Sequence, residues 1–386
     1  MKIGIISRVL LPSGNVRWAV GYAKGLSALG HEVELIFIQG VGNSSHLKLI
    51  EGSWKIGFAT NQNKTLFSRS IGKLILRSKF FKGGFPDESS PDPILWIGAP
   101  VTMNWSKRFD VLLIHDQFAG IAGLISKFLY GLPYIVFSHE PPSDREPFIL
   151  RCILGPWQKT VFKKAALRCS PSQSTASVCE QKFNLPFLTV THGCSAAPSI
   201  NTKKENYVLF DTRWSTSRNP FLIGEIAEKL KNVECVVAGS FSTKELQSAF
   251  RQDLERRGVA SRVKFRLEMS EQNLRSLYAN ALAYIRWPAI SADGYVELGP
   301  SFGVFQALEV GCPVIVTKNL WIAEMLKGRG CAQIVELTAD HIASAVMSLV
   351  NGEPSASLMA ESAWKLAKEW SWENRCRLLL SSIGRS

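Results

Sequence analysis

The chain alternates compact apolar runs with amphipathic stretches, and does so twice, on either side of a polar segment. The opening "KIGIIS" reads as a buried strand. The loop "RVLLPSGN" leads into a helical pattern from Val16 to Leu29, and "GHEVELIFI" supplies a glycine stop and a second strand. Strand, helix and strand within about 40 residues make a βαβ unit, whose crossover makes the two strands parallel. The pattern returns in "FDVLLIHD", a helix from Ala119 to Tyr130, and "LPYIVFSHE". A helix from Glu146 to Ala166, the strand "LRCSPS", a helix from Ser174 to Phe183 and "FLTVTHG" follow.

The segment "SAAPSINTKKEN", Ser195 to Asn206, is polar and strandless and reads as a linker. Beyond it the alternation restarts with "YVLFDTR", "VECVVAGS", "VKFRLEM" and "LAYIRWP", separated by helical patterns, and ends in "CPVIVT", "AQIVEL" and closing helices. With 386 residues, 46% of them hydrophobic, there is material for two cores. The expected fold is α/β: two doubly wound Rossmann-like parallel-sheet domains facing a central cleft. Residues 1–200 form the first domain and 201–365 the second, and a C-terminal helix, 366–386, returns toward the first. Ligands of such sheets bind outside the carboxyl ends of the strands.

Composition narrows the partners. The net charge is +13, which favours nucleic acid, anionic lipid or phosphorylated small molecules. No RNP, zinc-finger or helix-turn-helix pattern is present, so nucleic acid is not expected. The eight cysteines are scattered without a CxxC pair, which argues against structural zinc and for a reducing compartment. The opening residues are too short for a signal peptide, and no apolar run approaches the roughly 18 residues of a membrane span. The expected location is cytoplasmic, in solution or on the inner face of the membrane. Between Glu51 and Asp87 there are seven basic residues and no acidic one. As a helix, the basic segment 64–82 sets Phe67, Ile71, Leu74, Ile75 and Phe81 opposite Arg69, Lys73 and Arg77. That pattern suits either an anionic membrane surface or an ordinary helix packed on a core.

Four strand-exit loops are candidates for chemistry. In "LLPSGN", Gly14 allows close backbone approach at a helix start, where an ordinary turn is the alternative. His139 and Glu140 follow "VFS", and His115 and Asp116 follow "VLLI" at the analogous place; each can face a ligand or cap a core edge. Arg213 and Arg218, in "DTRWSTSRNP", present two guanidiniums suited to a diphosphate, or two solvated surface charges. The stretch "YVELGPSFGVFQALEVGCPVIVT" carries Glu297 and then the turn Gly299, Pro300, Ser301, Phe302 and Gly303, whose amides at a helix N-terminus make an anion cradle.

These pieces, in this order and joined by the C-terminal "EWSWENR", resemble family 4 glycosyltransferases, the retaining GT-B enzymes, over nearly the whole chain. The resemblance implies transfer of a sugar from a nucleotide-diphosphate donor, bound on the C-terminal half, to an acceptor on the N-terminal half. The acceptors implied are polysaccharide, lipid-linked or secondary-metabolite molecules, and neither a cofactor nor a metal ion is implied. Arg213 matches the family's phosphate-contacting Arg, and Arg218 its Lys five residues on. His139 matches the His that contacts the donor sugar, and Gly14 the glycine loop beside the phosphates.

Two departures stand out. The family carries two glutamates separated by seven residues, the second binding the ribose. Counting back from "GCPVI", Gln306 occupies the second place and Leu298 the first, with Glu297 one residue earlier. An amide oxygen still accepts from ribose hydroxyls, but without charge assistance the bond loses on the order of 1 kcal/mol. Arg218 in place of Lys keeps the charge and adds a planar fork. Two other readings share the architecture: a nucleotide-sugar epimerase, for which Glu140 and Asp116 are the available acid–base groups, and a non-catalytic nucleotide- or membrane-binding protein.

Overall fold

The apolar runs form strands, and those inside each sheet are buried on both faces, as parallel sheets require. The computed structural model describes residues 1–9, 14–39, 52–58, 100, 104–115, 119–139, 148–292, 294–297 and 301–383. The chain forms two units, Met1–Gly193 with Trp372–Ser386, and Cys194–Ser371. In the first, β1 (Lys2–Val9), β2 (Glu32–Gln39), β3 (Lys55–Phe58), β4 (Val111–Ile114), β5 (Tyr134–Phe137), β6 (Leu167–Ser170) and β7 (Leu188–Thr189) make a parallel sheet ordered β3-β2-β1-β4-β5-β6-β7. Ile5 pairs with Leu35 on one side and Leu113 on the other, and all three are buried. The crossovers are α1 (Gly14–Ala28), α2 (Trp105–Arg108), α3 (Gly120–Tyr130), α4 (Phe148–Lys164) and α5 (Gln173–Phe183).

The second unit repeats the plan with β8 (Glu205–Trp214), β9 (Glu234–Phe241), β10 (Val263–Leu267), β11 (Ala281–Arg286), β12 (Val314–Thr317) and β13 (Ala332–Val335), ordered β10-β9-β8-β11-β12-β13. Its helices are α6 (Phe221–Lys229), α7 (Lys244–Arg256), α8 (Glu271–Asn280), α9 (Phe302–Glu309), α10 (Ala323–Leu326), α11 (Ala339–Val350) and α12 (Ala356–Glu369). Thr243, Ser270 and Thr338 start α7, α8 and α11 by accepting a hydrogen bond from the backbone three residues on. Apolar side chains of α6 and α11 cover one face of the sheet, those of α8, α9 and α12 the other. No helix among the described residues is long and apolar enough to cross a membrane. The segment 64–82, with its amphipathic reading, lies outside the described residues.

The chain passes between units at Gly193–Cys194 and again at Ser371–Trp372, rather than at 200–201 and 365–366 as composition suggests. The start of the polar segment is tied into the second unit by hydrogen bonds that composition does not announce. Cys194 N–H donates to the Trp370 carbonyl (2.8 Å), Ser195 N–H to Glu309 Oε1 (2.5 Å), and Trp364 Nε1–H to the Ala197 carbonyl (2.7 Å).

The closing helix, α13 (Trp372–Ile383), packs on α1 within the first unit. Trp372 is 8% exposed and sits where glycines leave room: a Cβ at Gly21 would lie 2.2 Å from its ring, and one at Gly193 2.4 Å. Gly21→Ala should therefore destabilise the first unit by about 1–3 kcal/mol through overpacking, read as a lower urea midpoint. An unchanged midpoint would show that α13 is not seated there.

Candidate active site

In each sheet the strand order reverses once, between β1 and β4 and between β8 and β11. Loops leaving those strands diverge to opposite faces and open a crevice at their carboxyl ends. The sequence-predicted residues that the structure describes lie on or next to those exits.

In the first unit Gly14 is the half-buried first residue of α1, the helix that follows β1. His115 directly follows β4, is 4% exposed, and its backbone N–H donates to the Ile6 carbonyl. Its ring stacks on that of His139, just beyond β5, with centroids 4.2 Å apart and planes 12° from parallel. His139 in turn stacks on His192 beyond β7, at 5.7 Å and 20°. Trp18 of α1 stands edge-on to both His115 and His139. Three imidazoles thus form a column at the carboxyl edge of the sheet, half-buried at His139 and buried at the other two. Among the described residues no group of His, Cys, Asp and Glu converges as a metal site. Burial, reinforced by His115, lowers the His192 pKa to about 3.

In the second unit Arg213 projects from the end of β8, exposed and with no ion-pair partner among the described residues. Arg218 turns inward from the 3₁₀ turn Thr216–Arg218. Its Nη2 donates to Glu297 Oε1 at 2.5 Å, while Arg286, at the end of β11 and 7% exposed, donates to Oε2 at 3.3 Å. Glu297 thus bridges two guanidiniums and also accepts from the Ala289 N–H. Trp287 fixes the turn by donating from Nε1 to the Arg218 carbonyl (2.8 Å). Burial, and then the charge of Arg286, pull the Arg218 pKa down against the pull of Glu297. Among the described residues, Arg218 Nη1 is buried without a hydrogen-bond partner.

Helix α9 starts beyond Ser301, which is 3% exposed. Its hydroxyl does not cap the helix and, among the described residues, is buried without a hydrogen-bond partner. Phe302, Gly303 and Gln306 share one face of α9 by helical spacing. Gly303 is required by packing, because a Cβ there would lie 2.3 Å from the Tyr284 hydroxyl and 2.9 Å from that of Tyr278. Those hydroxyls donate to Asp211, Tyr278 to Oδ2 (2.8 Å) and Tyr284 to the carbonyl (3.0 Å), which locks α8, β11 and α9 to the exit of β8. Gln306 is half-buried, and its amide makes no hydrogen bond among the described residues. Asp116, Glu140, Leu298, Gly299 and Pro300 lie outside the described residues.

Sequence reading missed His192, Arg286 and Asp211. Each stands at the end of, or just after, an apolar strand ("FLTVTHG", "LAYIR", "VLFD"), the same signal that singled out His115 and His139.

Two parallel Rossmann-like units define a GT-B glycosyltransferase fold, the one implied by the sequence resemblance. Residues 196–366 match the family described as Glycosyl transferases group 1, nearly the whole second unit. The chain is similar to solved structures of Anabaena HepE in complex with UDP (15% identity, 100% of both chains, TM-score 0.73). It is also similar to sucrose-phosphate synthase from Thermosynechococcus elongatus (12% identity, 99% of this chain and 98% of that one, TM-score 0.69). A third is WaaG, a glycosyltransferase involved in lipopolysaccharide biosynthesis (14% identity, 99% of both chains, TM-score 0.63). No curated protein sequence is detectably similar to this one.

The His192 environment has a pH consequence. Unfolded, this imidazole takes up a proton near pH 6.5; folded, it stays neutral down to about pH 3. Stability should thus fall with pH across that window by about 1.4 kcal/mol per pH unit from this group alone. Replacing His192 with Phe should flatten unfolding free energy against pH between 6 and 4 by about one proton. An equal slope in both proteins would mean that His192 is not held neutral.

Proposed function

We propose that the chain is a retaining, family 4-type glycosyltransferase that takes a nucleotide-diphosphate sugar as donor and needs no metal ion. The observation that carries this reading is a pair of buried polar groups in the second unit, Arg218 Nη1 and Ser301 Oγ, that meet no partner among the described residues. Buried polar groups are nearly always paired, and leaving one unpaired costs about 1–3 kcal/mol. A diphosphate supplies acceptors for both. It would also relieve the crowding of Arg218 by Arg286 and meet the unpaired Arg213.

In the reaction, the bond between the anomeric carbon and the diphosphate oxygen breaks, and negative charge builds on the phosphate as it leaves. An acceptor hydroxyl oxygen bonds to the same face of that carbon and gives its proton to the departing phosphate. Arg213, Arg218 and the first amides of α9 stabilise that charge where it develops. Glu297 keeps Arg218 and Arg286 in place rather than touching phosphate, and Gln306 accepts from the ribose. His139, stacked between His115 and His192, meets the donor sugar. HepE structures hold UDP, and others UDP-glucose, which favours a uridine nucleotide among the donors to try first. The role of WaaG in lipopolysaccharide biosynthesis favours a lipid-linked or polysaccharide acceptor.

A thermal-shift screen of nucleotides and nucleotide sugars tests donor binding, since a ligand of the folded state raises the melting temperature. Nucleoside diphosphate release in step with acceptor glycosylation then tests transfer. Arg213→Ala should lower transfer about 10- to 100-fold; parent turnover in that variant would remove Arg213 from the mechanism. Nucleotide binding without any release across a broad donor and acceptor panel would favour the non-catalytic reading that Gln306 keeps open.

A further inference from the structure

A surface helix of an α/β unit normally buries its large apolar side chains and turns charge outward. Helix α3 departs from this at its C-terminal turn. Its buried residues are Gly120, Ala122, Gly123 and Ser126, all small. The reason is close approach: a Cβ at Gly120 would lie 2.3 Å from Val161 of α4, and one at Gly123 2.3 Å from Ile114. Ile121 and Leu124 are half-buried against the core, but the bulky residues of the last turn, Phe128, Leu129 and Tyr130, are left 84%, 47% and 39% exposed.

The adjoining helix gives this apolar edge its charge. Both α3 and α4 lead back to strands of one parallel sheet, so their C-terminal turns lie together at the amino-end edge, and the Tyr134 hydroxyl bonds the Val161 carbonyl between them. Lys127, Lys159, Lys163 and Lys164 are exposed, and none has an ion-pair partner among the described residues. Neither helix contains an acidic residue.

We infer that the α3–α4 surface docks on an anionic lipid bilayer, with Phe128 and Leu129 in the headgroup–acyl boundary and the four lysines on lipid phosphates. Protein interfaces are depleted in lysine, and a second copy of this surface would set lysine against lysine. A bilayer accepts both features: it takes up exposed aromatic and aliphatic side chains, while lysine stems lie along the apolar zone and their amines reach the phosphates. The net charge of +13 has the same sense. The assignment concerns only the first unit and stands whether or not the transferase reading does.

The full chain should co-sediment with vesicles of phosphatidylcholine mixed with phosphatidylglycerol. Binding should be at least about tenfold weaker to phosphatidylcholine alone, and should fall as salt screens the lysines. Phe128→Ser with Leu129→Ser, and separately Lys159→Gln, Lys163→Gln and Lys164→Gln together, should each weaken anionic-vesicle binding about tenfold or more, with unchanged circular dichroism. Seven of the eight cysteines are buried, so with Cys152 replaced by Ser a polarity-sensitive dye on Phe128→Cys reports this surface. Its emission should shift to the blue with anionic vesicles alone. Failure of the parent to bind overturns the proposal. So does parent-like binding by both variants, which would move the contact to another surface such as residues 64–82. Patch variants that abolish a dimer while lipid binding stays intact would overturn it as well.

Discussion

A parallel sheet cannot leave either face to water, and in this chain that constraint organises everything else. The helices that join parallel neighbours return along one face or the other, so the loops leaving those strands open at the same edge. Where the order reverses, neighbouring loops part and leave space. The imidazole column and the arginine–glutamate bridge each stand at such an edge, one per unit. The side chains there are held by packing that the sheets already need: Trp18 beside the histidines, Trp287 beneath the arginine turn, and the tyrosine pair against Gly303.

The alternation was legible because burial on both faces demands continuous apolar runs, and glycine, proline and capping residues mark where they stop. Helix bounds such as Gly120–Tyr130 and Gln173–Phe183 fall within a residue or two of the hydrophobic pattern. The passage between units was less legible. Ser195 to Ala197 are polar and small like a free linker, yet Glu309 and Trp364, far along the chain, bind them. Sequence reading also gave Gly303 one purpose, an approach by phosphate, whereas the structure gives it another, the nearness of two tyrosine hydroxyls. Tertiary neighbours decided both, and neither leaves a local pattern.

Glu297 shows the same limit at the candidate site. Motif spacing leaves it one residue out of register, which in sequence alone looks like an imperfect match. In space its carboxylate lies between Arg218 and Arg286, offsetting two partly desolvated cations that would otherwise repel each other. Its place in the chain matters less than the charges it separates. A carboxylate so used keeps one guanidinium nitrogen of Arg218 in reserve, which is how a protein can hold a positive group ready without exposing it fully.

The seat of Trp372 against Gly21 and Gly193 also sets an order of assembly. Domains generally fold as units while the chain is still being synthesised. Here the first unit lacks helix α13 until the stretch beyond Ser371 leaves the ribosome. The second unit, Cys194 to Ser371, has all of its strands by then. The earlier-born half therefore waits, with a glycine-lined notch open along α1, for its later-born sibling to be made.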